Sequence, residues 1–102
     1  MSPDFPFVLD KEGHERFGEL LAAAGMQFVE QRRESWDSGS ATVYGELISS
    51  HGTFLCELCS SPHQYFFVIN IRGHGKAASL VMKDIERAFD GHLISKYETR
   101  VA

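Results

Sequence analysis

The chain has 102 residues, 43% hydrophobic and 12% aromatic, with a formal charge of −4. That length holds one domain, and the aromatic content excludes intrinsic disorder, which goes with few aromatics and a strong net charge. The charge is too small and of the wrong sign for nucleic-acid binding by general electrostatics, and no apolar run approaches the roughly 20 residues that cross a bilayer. Neither nucleic acid nor membrane is expected as a partner. The opening Met1-Ser2-Pro3-Asp4-Phe5-Pro6 lacks the basic start and apolar stretch of a signal peptide, so a cytoplasmic protein is expected.

In chain order, Asp10 is a good N-cap for a helix that begins at Lys11, with Glu12 and Glu15 near its positive end. Phe17, Leu20, Leu21 and Ala24 recur at spacings of three and four and form one apolar stripe. Gly25 suits the left-handed position that ends such a helix. Met26 to Arg33 reads as a strand, favoured by the glycine stop before it and by Phe28-Val29 within it. Ser38-Gly39-Ser40 marks a loop. Ala41 to Ile48, Thr53 to Cys59 and Gln64 to Ile71 then make three strands, joined by the turn chemistry of Ser50-His51-Gly52 and Ser60-Ser61-Pro62-His63, as an antiparallel meander. The third is apolar on both faces and so is expected in the middle of the sheet. Lys76 to Asp90 is the clearest helix, with Ala77, Leu80, Val81, Ile85, Ala88 and Phe89 on a stripe interrupted by Asp84, and Gly91 ends it. His92 to Val101 alternates loosely and reads as either a last strand or a tail.

These elements predict a single α+β domain over residues 1–102. Its sheet is antiparallel with four to five strands, two helices pack on one face, and the order is α-β-β-β-β-α with an optional last β. If both helices take one face, the other carries Phe66, Val68 and Tyr44, too apolar to be left to water. A homodimer through that face is the expectation.

Charge divides along the chain: residues 1–60 hold ten acids and four bases, and residues 61–102 hold four acids and six bases. Cys56 and Cys59 have the Cys-x-x-Cys spacing of a zinc site. They fall on a strand, however, where residues three apart point to opposite faces, so free thiols are expected and no metal. The histidines are scattered and no turn of the nucleophile-elbow type presents a serine, so no catalytic residue is assigned.

The stretch with chemistry in reach is Arg72-Gly73-His74-Gly75-Lys76, a glycine-rich turn between a strand and a helix. Glycines admit a close ligand, and the first-turn N–H groups of a helix favour an anion. Arg72 and Lys76 add positive charge. Arg72-x-x-Gly75-x-Ala77 resembles the Q/R-x-x-G-x-G/A pattern of the GNAT acetyltransferase superfamily, over some twenty residues between Gln64 and Phe89. The resemblance implies that Arg72, Gly73, Gly75 and Lys76 hold the pyrophosphate of an acyl-coenzyme A, with Glu46 or Glu57 as general base. Only 25 residues follow Ala77, whereas that family adds further strands and a helix.

The reading favoured over acyl-coenzyme A or other phosphate-ligand binding is a small non-catalytic protein-binding module of the inhibitor type, in the size and charge class of immunity proteins, antitoxins and anti-CRISPR proteins, with no cofactor. Its partner is expected on the acidic first helix (Asp10, Glu12, Glu15, Glu19) or on the sheet face of Phe66 and Val68, with Trp36 as a candidate anchor.

Overall fold

A computed structural model of the protein describes residues 4–94. The elements in chain order are β1 (Asp4–Leu9), α1 (Lys11–Glu15), α2 (Phe17–Ala23), β2 (Gln27–Ser35), β3 (Ala41–Ser49), β4 (Gly52–Ser60), β5 (Tyr65–Asn70) and α3 (Lys76–Ala88). The strands make one sheet in the order β1-β5-β4-β3-β2, antiparallel throughout. The expected α+β architecture is therefore present, with β2 to β5 as the meander.

The fifth strand comes from the N-terminal side of the chain, where the sequence assigned nothing. Pro6 discourages a strand assignment, yet β1 lies at the edge of the sheet, where a missing N–H costs no ladder bond if it faces outward. At the far end, Leu93 makes a single antiparallel bridge to Leu9, and the Ile94 amide donates to the Val8 carbonyl at 2.8 Å. The rest of the expected C-terminal strand, residues 95–101, lies outside the described residues.

The first helix follows its sequence signals closely. Asp10 caps it, its Oδ1 accepting from the Gly13 amide at 2.6 Å. Arg16 (φ −101, ψ 21) divides it into α1 and α2, but helical hydrogen bonds run through the junction from Arg16 to Glu12 and from Leu20 to Arg16. At the far end Gly25 has φ 81, the Met26 amide reaches back to the Leu21 carbonyl and the Gly25 amide to that of Ala22. This is the Schellman pattern, and its apolar pair, Leu21 and Met26, is buried.

All three helices cover the same face of the sheet. The core between the layers holds Phe7, Leu9, Phe17, Leu21, Leu47, Phe54, Phe67, Ile69, Val81, Ile85 and Phe89. Phe17 is its hub, with ring centroids 4.9 Å from Phe67, 5.4 Å from Phe28 and 5.6 Å from Phe89. Such pairs contribute about 0.5–1.5 kcal/mol each beyond their area burial. On α3 the predicted stripe holds at Val81, Ile85 and Phe89, but Leu80 is exposed and Ala78 is buried in its place.

Candidate protein interface

The opposite sheet face is covered by no helix among the described residues. Strand alternation and the ladder registers place its side chains in rows. One row runs Arg32–Tyr44–Glu57–Val68–Pro6 from β2 to β1, and the next runs Glu34–Thr42–Cys59–Phe66–Val8. Towards the other end of β3 follow Val29–Glu46–Leu55 and Gln27–Ile48–Thr53. A β-bulge between Glu30 and Arg32 keeps the face in phase, since the extra residue lets both Val29 and Arg32 share one side. β3 accommodates the bend by having Gly45 there, where a Cβ would lie 2.2 Å from the Val29 carbonyl oxygen.

Six large hydrophobic side chains are exposed among the described residues, and three of them sit on this face: Leu55 at 59%, Ile48 at 41% and Val29 at 37%. Trp36 is a fourth, at 50%, in the turn after β2, and the alternation of β2 carried two residues beyond Glu34 sets it on the same side. Phe66 and Val68, the sequence-derived candidates, lie on the face but are half-buried on β5, between the edge strand β1 and the central β4. Leu55, Ile48 and Val29 were not foreseen. Thr53-Phe54-Leu55-Cys56 is apolar on both sides, and periodicity alone does not say which side the helices take.

The polar side chains of the face are organised at one end and unpaired in the middle. Arg32 Nη1 donates to Glu34 Oε2 at 2.7 Å, and its guanidinium lies 4.0 Å over the Tyr44 ring. The Tyr44 hydroxyl donates to Glu34 Oε1 at 3.0 Å, and this bond to a carboxylate holds its pKa above the ordinary tyrosine value. Next to Tyr44, the residues Leu55, Glu57, Val68 and Asn70 line a hollow of about 230 Å³ over Gly45 and Cys56. Glu57 and Glu46 lie on adjacent strands there and are half-buried.

The cysteines diverge as their strand placement requires. Cys56 faces the core, its Sγ donating to the Gly45 carbonyl at 3.7 Å, and burial pushes its thiol up to about 12. Cys59 lies on the open face, its pKa raised by burial against a lowering hydrogen bond with Thr42. Neither offers a thiolate at neutral pH, so neither is set up as a nucleophile.

The other sequence-derived positions are used locally. Asp10 is the helix cap and lies 3.2 Å from His92 Nδ1, with its side chain still partly exposed. Glu12 and Glu19 both pair with Arg16 on the helix surface, and Glu15 is exposed. In the Arg72–Lys76 turn, Gly73 and Gly75 have φ of 80 and 56, conformations that glycine supplies without strain. The Arg72 amide donates to Asn70 Oδ1, and the Ala77 and Ala78 amides at the start of α3 donate to His74 and Gly75 carbonyls. The His74 ring rests 4.0 Å from that of Phe54, on the helix-covered side. The sheet thus separates the His74 ring from Glu46 and Glu57.

Compared with protein-family models, curated proteins and solved structures, the chain gives no match.

Proposed function

We propose that this protein is a non-catalytic binding module of the inhibitor type that engages a protein partner through its open sheet face. The observation that carries the reading is the segregation of exposed apolar side chains. On the face that no helix covers among the described residues, Val29, Ile48 and Leu55 gather at one end, and Trp36 is exposed beyond the other end. A solvated sheet face would instead alternate to polar residues, and a gathered apolar patch with polar surroundings is the usual mark of an interaction surface. The exposed Trp36, at the far end of the sheet, fits the residue bias of interface anchors as a separate contact point.

Capture from extracts of the native host tests this with three baits: the unaltered protein, Leu55→Asp and Leu80→Asp. Both leucines are exposed, so both variants are expected to fold, which circular dichroism checks. A partner held through the open face is lost with Leu55→Asp and retained with Leu80→Asp, which lies on α3 on the opposite side. Equal retention by both variants refutes the assignment.

A further inference from the structure

Resting on the docking reading above, the charges of the open face decide what kind of surface it receives. Among the residues whose side chains are described, it bears four ionisable carboxylate or guanidinium groups: Arg32, Glu34, Glu46 and Glu57. Arg32 is committed, paired to Glu34 at 2.7 Å and stacked on Tyr44. The Tyr44 hydroxyl is likewise taken by Glu34, and Asn70 Oδ1 accepts from the Arg72 amide. Glu46 and Glu57 make no ion pair or hydrogen bond among the described residues, although both are half-buried, Glu57 among Leu55, Val68 and Tyr44 and Glu46 between Val29 and Leu55 in the ladder. Covering this face therefore means desolvating two carboxylates that have no internal counter-charge, which is unfavourable unless the occupant brings cations.

A second copy brings none. A two-fold dimer through this face apposes the patch to itself, so the Glu46 and Glu57 of both copies are dehydrated in one contact whose only face arginine, Arg32, is already paired with Glu34 in each copy. Nucleic acid and anionic lipid carry the same sign as the carboxylates and are disfavoured equally. What complements the face is a cation framed by apolar surface. The 230 Å³ hollow suits this: Leu55, Val68 and the Tyr44 ring form its apolar lining, Gln31 and Asn70 add amides, and Glu57 is its unpaired acceptor.

We propose that the occupant is a foreign protein with a basic contact surface, and that one arginine or lysine flanked by apolar side chains seats its cation in the hollow against Glu57 while the flanking groups lie on Leu55, Ile48 and Val29. An acidic, Trp-edged sheet face is thereby matched to a basic target.

The test uses isotope-labelled full-length protein titrated at millimolar concentration with two blocked Leu-Arg-Phe peptides, one with arginine and one with uncharged, isosteric citrulline. The expected result is that the arginine peptide moves the amide resonances of Tyr44, Leu55, Glu57 and Val68 and binds roughly tenfold tighter than the citrulline peptide, as one charge-assisted hydrogen bond would give. Glu57→Gln, which keeps shape and removes charge, should erase that ratio. Equal binding of the two peptides overturns the cationic seat and leaves the apolar docking reading standing. Absence of shifts on the face with either peptide also overturns the seat, while the Leu55→Asp capture result decides the docking reading separately. Sedimentation showing a dimer that Leu55→Asp dissolves assigns the face to a second copy and overturns the proposal.

Discussion

Gly45 sits in the middle of β3 at the point where β2 bulges across it, and replacing it with alanine probes that crossing directly. The added Cβ would lie 2.2 Å from the Val29 carbonyl oxygen, 3.0 Å from its carbonyl carbon and 2.9 Å from Phe28 Cζ. Two of these three are backbone atoms, so rotamer changes do not relieve the clash. β2 must move off β3 by about an ångström or the bulge must reform elsewhere, and either change disturbs the ladder around Glu30 and Gly45. Overpacking of this kind costs about 1–3 kcal/mol, and more where the obstacle is rigid. At roughly 4–8 °C per kcal/mol for a domain of this size, Gly45→Ala should lower Tm by about 10 °C or more. Gly18→Ala is the internal control: it lies in α2 with nothing within 4 Å of the added Cβ. There alanine should stabilise the helix by about 0.5–1 kcal/mol. Thermal unfolding followed by circular dichroism reads both. A Gly45→Ala protein that melts with or above the unaltered one would show that β2 does not cross β3 as described, and the phase of the open face would fall with it.

Other consequences are more local. Burial lowers the pKa of His14, stacked 4.5 Å from Tyr65, so the unfolded chain binds the proton more readily than the folded one. The stability contributed by the neutral ring is complete above the unfolded value of 6.5 and is lost as pH falls through it towards the lowered folded value. Denaturant unfolding measured from pH 7.5 to 5 should show that decline, and His14→Gln should flatten it. Because the Tyr44 hydroxyl is held up chiefly by its bond to Glu34, Glu34→Gln should move one tyrosine titration downward in the ultraviolet difference spectrum, towards the usual value. Asp10→Ala removes the cap of α1 and the contact to His92, and should cost about 1 kcal/mol in urea unfolding.

Much of this architecture is legible in the sequence because local chemistry and global fold agree. Asp10 and Gly25 bracket the first helical segment, Gly91 follows α3, and the turn residues around His51 and Pro62 set the meander. The misses have physical causes. β1 escapes detection because Pro6 obeys the rule against proline in strands only for interior strands, and edge position is a tertiary property. The candidate interface is only half legible. Phe66 and Val68 announce a strand that is apolar on both sides, and Trp36 announces itself by type. Leu55, Ile48 and Val29 become surface residues only once the helices choose a face and the bulge near Gln31 resets the alternation of β2. The Arg72–Lys76 turn shows a signal with two readings: its glycines, read as room for a ligand, also supply the positive φ of a tight turn in which the Arg72 and His74 amides bond to the chain just before them.

The account stands on the open face being a surface that something covers. Hydroxyl-radical footprinting of the protein, alone and after addition to native extract, measures this side chain by side chain. Oxidation of Leu55, Trp36 and Ile48 should be high in the isolated protein and fall several-fold in the extract, with Leu80 unchanged. Equal oxidation of all four in both conditions, or protection centred on Leu80, would contradict it.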